Sequence, residues 1–150
     1  MSTRKYTTRR TAIAEALTEK LKDINGTGNF LSDVSGNVSP RLKFWDEVEE
    51  FPAIHLNPGS ETRVYQGGGY KDRFLSVTIR CYVQEEDAAS ALAELLEDVE
   101  TVVEDNSRLA YTDRNGDSQT TQQITIISVD TDEGVLEPLG VGEILVEVRY

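Results

Sequence analysis

Residues 88 to 104 carry apolar and acidic side chains on opposite faces of a predicted helix, and this pattern limits the folds open to the chain. Apolar residues recur there at three- and four-residue steps, which is the period of an α-helix. Burial of the leucine and valine side chains contributes on the order of 10 kcal/mol as an upper estimate, so the helix has to pack against another layer. The predicted apolar face comprises Ala88, Leu92, Leu95, Leu96, Val99, Val102 and Val103, and the predicted water-facing side comprises Glu94, Glu97, Asp98, Glu100 and Glu104.

An alternating strand precedes that helix and is the candidate for the second layer. Every second residue from Leu75 to Val83 is apolar, which is the period of a strand with one face on a core. The stretches Glu61 to Gln66 and Tyr70 to Val83 flank Gly67-Gly68-Gly69, and glycine supplies the dihedral angles that hairpin turns require. We therefore predict a long β-hairpin.

The N-terminal part of the chain predicts a further helix, a loop and a short strand. Apolar residues at helical steps predict a helix from about Thr7 to Ile24. The segment from Gly26 to Pro40 is rich in glycine, asparagine, serine and threonine, which is typical of a loop. Ala53 to Leu56 is predicted as a short strand that ends at Asn57-Pro58-Gly59.

The C-terminal part predicts two more strands. A polar loop runs from Thr112 to Thr121, a strand from Gln122 to Val129 and a turn from Asp130 to Gly134, and Glu143 to Tyr150 alternates as a strand. Ile144, Val146, Val148 and Tyr150 are predicted to face inward. This order predicts an α+β fold of two layers, in which two helices pack on one face of a mainly antiparallel sheet. Residues 1–150 are predicted to form a single domain.

The chain has a formal net charge of −12, which argues against a protein whose whole surface binds nucleic acid. The segment from Arg4 to Arg10 is locally basic, and we interpret it as an exposed helix start. Contact with an acidic protein is the next alternative, and contact with DNA ranks below it. Cys81 is the single cysteine, so an internal disulfide is excluded and a reducing compartment is expected. The sequence has neither an apolar run of bilayer length nor a secretory signal, so we expect a cytoplasmic product without membrane contact.

The residue types needed for catalysis do not occur in recognisable motifs. His55 is the only histidine and lies in a predicted strand, so neither a histidine-assisted nucleophile nor a multi-histidine metal site is available. The glycines Gly67 to Gly69 lack the lysine and hydroxyl residue of a phosphate-binding loop, and no serine lies in a G-x-S-x-G motif. We predict that the chain is not an enzyme and has no cofactor.

Two acidic segments admit a metal interpretation. Oxygen-bearing residues alternate from Asp113 to Asp117 as in a Ca²⁺ loop, but the glycine and glutamate positions of an EF-hand are not matched. Asp130, Asp132 and Glu133 are compatible with an acid–base pair or with Mg²⁺ ligands, and also with a solvated turn. We favour the interpretation without a metal for both segments.

The run from Val129 to Tyr150 resembles the ending of bacteriophage tail terminator proteins. The resemblance extends over about Arg9 to Tyr150. Three further pieces are similar to that family in order and spacing, namely Phe51 to Leu56 before Gly59-Ser60-Glu61, the strand Leu75 to Val83, and the helix Leu92 to Val103.

The resemblance implies a structural virion protein at the head-proximal end of the tail, assembled in the host cytoplasm. It would form a hexameric ring that binds the last ring of the tail tube, stops its polymerisation and presents a surface to the neck of the filled head. Implied partners are further copies of the chain, the tail tube protein, a neck or head-completion protein and the tape measure protein. Genome DNA would pass through the lumen without specific binding. A neck connector or a tail-tube subunit is the alternative, followed by a small acidic adaptor domain.

The hairpin and the turn after residue 129 contain the candidate contact residues. The hairpin is the first candidate for reaching a neighbour or the tube, because strand edges and hairpins often form such interfaces. Carboxylates on the acidic helix or in the turn would line the lumen and repel DNA phosphates. The predicted interface residues are Arg63, Tyr65, Tyr70, Lys71, Arg73, Asp130, Asp132 and Glu133.

Overall fold

The computed structural model describes residues 8–34, 36–41, 48 and 50–150, so the predicted helix start at Thr7 and the basic residues before it lie outside the described part. The helices are α1 (Arg9–Leu21) and α2 (Ala88–Asp105). The strands are β1 (Val38–Ser39), β2 (Ala53–Tyr65), β3 (Lys71–Gln84), β4 (Ala110–Thr112), β5 (Ser118–Thr120), β6 (Gln123–Thr131) and β7 (Leu139–Arg149).

Five strands form the main sheet in the order β1-β2-β3-β7-β6. β1 pairs with β2 in parallel, whereas the β2–β3, β3–β7 and β7–β6 pairs are antiparallel. α1 packs on β2, α2 packs on β3 and β7, and both helices share one core with the sheet. The predicted α+β fold with a mainly antiparallel sheet is confirmed.

The predicted alternation decides which face of each strand meets the helices. β3 and β7 pair from Phe74 opposite Arg149 to Gln84 opposite Leu139. Because opposite residues of an antiparallel pair share a face, the inward rows of the two strands form one apolar surface beneath α2. The members of these rows without exposed surface are Leu75, Val77, Ile79, Cys81, Ile144, Val146 and Val148.

α1 is shorter than the predicted helix from Thr7 to Ile24. Thr8 is the N-cap, and its side-chain oxygen accepts a hydrogen bond from the amide three residues later. The helix ends at Leu21, and Ile24 is fully buried in the loop that follows, where its carbonyl accepts the Val34 amide at 3.1 Å. Ile24 therefore fits the apolar periodicity because its side chain is buried, although it lies outside the helix.

β2 does not end at Asn57-Pro58-Gly59 as predicted but continues to Tyr65. Pro58 lies opposite Val77, and a bulge follows between Pro58 and Glu61. β1 pairs only with Ile54 and His55, so β2 is an edge strand at Pro58, where the missing N–H of proline costs no sheet hydrogen bond. The hairpin therefore has longer arms than its turn signals indicated.

Two predicted loops contain short paired segments. The predicted loop Gly26–Pro40 contains β1, and an isolated bridge joins Asp33 of this loop to Asn25 just before it. The predicted loop Thr112–Thr121 contains β5, which pairs with β4 in a small hairpin. Strands of two or three residues are too short to show alternation. β6 also continues through Asp130 and Thr131, so the predicted turn Asp130–Gly134 begins later, at Asp132.

The prediction that Asp98 lies on the water-facing side of α2 is wrong. Its exposure is 2%, and its carboxylate accepts hydrogen bonds from the backbone amides of Leu31 at 3.0 Å and Ser32 at 2.7 Å. The other predicted water-facing residues of the helix are exposed. Among the described residues, no helix combines the length and apolar composition that a bilayer crossing requires.

Candidate functional site

The tip of the long hairpin extends beyond the neighbouring strand. We define the hairpin tip as residues 63–71. β7 accompanies β3 only as far as Arg73, whose backbone exchanges two hydrogen bonds with Tyr150. Within the tip, the Gln66 amide donates to the Tyr70 carbonyl at 2.7 Å across the glycine turn. Tyr65 and Tyr70 are 72% and 75% exposed, so the hairpin tip presents two aromatic side chains to solvent.

The base of the hairpin tip is held by a polar cluster. The Tyr150 hydroxyl donates to the Glu61 carboxylate, and Arg63 Nε donates to the same carboxylate at 2.8 Å. The Arg73 guanidinium lies 5.6 Å from the centroid of the Tyr150 ring, a cation–π contact. These contacts fix both arms of the hairpin to the end of β7.

The cluster shifts the titration of both groups at its centre. Burial raises the pKa of Tyr150, and the hydrogen bond to Glu61 raises it further, to about 12. Burial by itself would raise the pKa of Glu61, but the hydroxyl of Tyr150 and the guanidinium of Arg63 stabilise the carboxylate and bring its pKa below the ordinary value. Glu61 is therefore ionised and Tyr150 is neutral near pH 7.

The remaining predicted contact residues lie at the end of β6 and in its connection to β7. We define the acidic turn as residues 130–137, which include four carboxylates and no cation. The Asp132 carboxylate accepts the Leu136 amide at 3.2 Å and so shapes the turn. Glu133 has a positive φ of 56°, and the apolar side chains of Val135 and Leu136 are 81% and 48% exposed.

The structure separates the predicted interface residues into two groups. Tyr65 lies opposite Lys71 at one end of β3. Thr131 lies opposite Gly142 of β7, which in turn lies opposite Cys81 near the other end of β3. Ten residue steps along β3 separate Lys71 from Cys81, which corresponds to about 33 Å at the usual rise of a strand. The hairpin tip and the acidic turn are thus at opposite ends of the sheet.

Sequence reasoning missed a groove beside the acidic turn. We define the outer groove as the open cleft on the sheet face opposite the helices, with a volume of about 980 Å³. Phe51, Tyr82, Leu139 and Val141 contribute apolar walls, and Asp130 lies at its rim. Apolar residues at successive outward positions of β7 were the available signal, because an exposed strand face is usually polar.

The two segments with a metal interpretation have other roles. Asp113 Oδ1 accepts the amides of Asn115 and Asp117 at 2.9 and 3.0 Å, and Oδ2 accepts Gln119 Nε2 at 3.1 Å. Burial would raise the pKa of Asp113, but these donors lower it. Asp113 thus organises the β4–β5 turn. Within the described part of the chain, no group of three histidine, cysteine or acidic residues is arranged to hold a metal ion.

The two side chains with the greatest potential for chemistry are both buried, Cys81 in the core and His55 on the other face of the sheet. His55 is 2% exposed and packs against Tyr82 with ring centroids 5.2 Å apart. Cys81 is fully buried, and desolvation raises the pKa of its thiol to about 12. Neither side chain is exposed to a substrate in this arrangement, because both are covered by the fold.

Comparisons with known proteins agree with the resemblance. A family described as "Bacteriophage Tail Tube Terminator Protein" matches residues 7–150. The chain is 34% identical over 149 residues to the "Tail tube terminator protein p142" of Escherichia phage T5, covering 94% of this chain and 92% of that protein. A chain in the "Virion of native gene transfer agent (GTA) particle" has the same fold, with a TM-score of 0.62, 12% identity, and coverage of 92% of this chain and 93% of that one. The chain therefore belongs to the bacteriophage tail tube terminator family, whose members are structural proteins of the virion tail.

Proposed function

We propose that the chain forms a closed ring that caps the head-proximal end of the tail tube, stops its polymerisation and presents the attachment surface for the neck. The observation that carries the proposal is the family match along residues 7–150, since the family takes its name from tail tube termination. The relative in Escherichia phage T5 is also named a tail tube terminator protein, so the tail tube protein is the first partner in this proposal.

The two separate interaction surfaces support a ring. A ring arises when one surface of a subunit binds a different surface of the next and the rotation closes. The hairpin tip and the acidic turn are such a pair of different surfaces, about 33 Å apart along β3 at the usual rise of a strand. Residues 1–150 act as the single repeating domain, and six copies complete the ring. The neck protein meets one rim, and the tail tube protein and the tape measure protein meet the other.

The function is structural and not catalytic. The only histidine and the only cysteine of the sequence are both buried, and the Cys81 thiol stays protonated at neutral pH because its pKa is about 12. Asp130 and Glu133, which the sequence admitted as part of an acid–base pair but which we interpreted as a solvated turn, are exposed to solvent.

The acidic side of α2 lines the lumen in this proposal. Glu94, Glu97, Glu100 and Glu104 are all exposed on one helix. A ring of such helices would repel DNA phosphates and let the genome pass without adhering.

Deletion of the gene in a phage that encodes this chain tests the proposal. Electron microscopy of the lysate should show tails of abnormal length without heads, and expression of the wild-type chain in trans should restore virions. Absence of all tails would identify a tube subunit, and tails of normal length that lack heads would identify a neck connector. Either result would overturn the proposal. Purified chain that grows into long cylinders would also contradict it.

A further inference from the structure

We propose that the hairpin tip of one copy docks into the outer groove of the next copy, a contact that would connect neighbouring subunits of the proposed ring. This inference rests on the proposed function, and it specifies which surfaces the partner copies use. The tip presents exposed aromatic side chains. The groove presents apolar walls together with Asp130, Asp132 and the Arg80–Glu143 ion pair, a lining with net negative charge.

Apolar complementarity is the first argument. Tyr65 and Tyr70 are both more than two-thirds exposed, and aromatic side chains bury about 150–250 Å² each when they dock. The outer groove has a volume of about 980 Å³ and apolar walls from Phe51, Leu139 and Val141. A tyrosine suits this environment, because its ring packs on the walls while its hydroxyl remains at the polar rim.

Charge complementarity is the second argument. Residues 61–73 contain three cations and two carboxylates, a net charge of +1 in a chain whose total is −12. Both carboxylates are already paired, Glu61 with Arg63 and Asp72 with Arg149, and no described carboxylate pairs with Lys71. The acidic turn has a net charge of −4 from Asp130, Asp132, Glu133 and Glu137. Two copies that would otherwise repel each other are therefore attracted at this contact.

Geometry excludes occupation of the groove by the tip of the same chain. The two surfaces lie about 33 Å apart along β3 at the usual strand rise, and the strands between them are paired in one sheet. The contact is consequently between different surfaces of two copies, which is the type of interface that closes into rings. The Glu61–Tyr150 hydrogen bond and the Arg63–Glu61 pair hold the tip before it docks, so less conformational entropy is lost on binding.

Complementary variants of the full-length chain test the inference. The tip variant is Tyr65→Ser/Tyr70→Ser, and the groove variant is Asp130→Lys/Leu136→Ser, all at exposed positions. Ile127→Ser is the matched control, because Ile127 is 53% exposed on the edge strand β6 and does not line the groove. Circular dichroism and urea unfolding verify that each variant is folded, and sedimentation velocity measures self-association up to about 1 mM protein.

The expected result is that each double variant weakens self-association at least about 30-fold, as central interface residues do, whereas the control associates like the wild type. An equimolar mixture of the two variants should form dimers and nothing larger, because one intact tip and one intact groove remain. Wild-type association by both variants, or a mixture that stays monomeric, would overturn the inference. A wild-type chain that stays monomeric throughout, or association lost only in the control, would do the same.

Expression of each variant in the phage from which the gene has been deleted separates this inference from the proposed function. If the wild-type chain restores virions but the tip variant associates normally, the subunit contact is wrong and the terminator function stands. If the tip variant associates normally yet fails to restore virions, the tip binds the tube. Failure of the wild-type chain to restore virions refutes the proposed function, whatever the sedimentation results are.

Discussion

The hydroxyl of Tyr150 donates a hydrogen bond to the carboxylate of Glu61, although 89 positions separate the two residues in the chain. The bond joins the end of β7 to the first arm of the hairpin, at the point where the hairpin leaves the sheet. It therefore links the stability of the sheet end to the position of the hairpin tip.

Replacement of Glu61 by glutamine should lower the free energy of unfolding by about 1–3 kcal/mol near neutral pH, because the hydrogen bonds to a charged acceptor are weakened. The pKa of Glu61 is lower in the folded chain, so its contribution is complete above the unfolded-state pKa and is lost as the pH falls through the folded-state pKa. Urea unfolding of wild type and Glu61→Gln at neutral and acidic pH measures this. The difference should shrink in acid, and a difference independent of pH would contradict the assignment.

Replacement of Asp98 by alanine should lower the free energy of unfolding by about 2–4 kcal/mol. The buried carboxylate accepts the amides of Leu31 and Ser32, and its loss leaves these donors without their acceptor. Amide hydrogen exchange should become faster at both loop residues before the rest of the core is affected. The control is Glu97→Ala on the exposed side of α2, which should change stability by less than about 0.5 kcal/mol.

Gly140 allows α2 and β3 to approach β7 closely. A Cβ atom at Gly140 would lie 2.7 Å from Val83 Cγ2 and 3.3 Å from the Ala88 carbonyl oxygen, so Gly140→Ala should cost about 1–3 kcal/mol of stability through overpacking. Gly67→Ala is the matched control, because a Cβ there has no neighbour within 4 Å. Thermal and urea unfolding compare the two variants, and equal stabilities would show that the β7–α2 contact is looser than described.

Local patterns were sufficient for the elements with long runs of alternation. α2 and β3 were predictable because each repeats its pattern over many residues, so one exception does not hide the period. β2 was predicted too short because Pro58 and Gly59 are turn residues in most contexts. Here they are accommodated by an edge position and a bulge, which depend on the neighbouring strands and not on the local sequence.

The outer groove and the role of Asp98 depend on contacts between distant segments. The walls of the groove come from residues before β2, from β3 and from β7, and no local pattern brings these segments together. Asp98 did give a local signal that was overlooked. It lies three residues after Leu95 and four before Val102, on the apolar side of the helix. An acidic residue in that position requires a buried donor, which the loop at Leu31 provides.

The lumen proposal leads to the last prediction. If the hairpin tip of one copy occupies the outer groove of the next, the acidic turn is at the subunit junction, and the exposed acidic side of α2 remains for the lumen.

Replacement of Glu94, Glu97, Glu100 and Glu104 by glutamine should then leave the fold intact, because all four side chains are exposed. The assembled ring should bind short duplex DNA about tenfold more tightly at low ionic strength, since the repulsive field is reduced. Fluorescence anisotropy measures this, with Glu133→Gln/Glu137→Gln in the acidic turn as the comparison, because both residues are exposed and neither lines the outer groove. A larger effect from the comparison variant would mean that the acidic turn lines the lumen, and no change in either would mean that carboxylates do not line it.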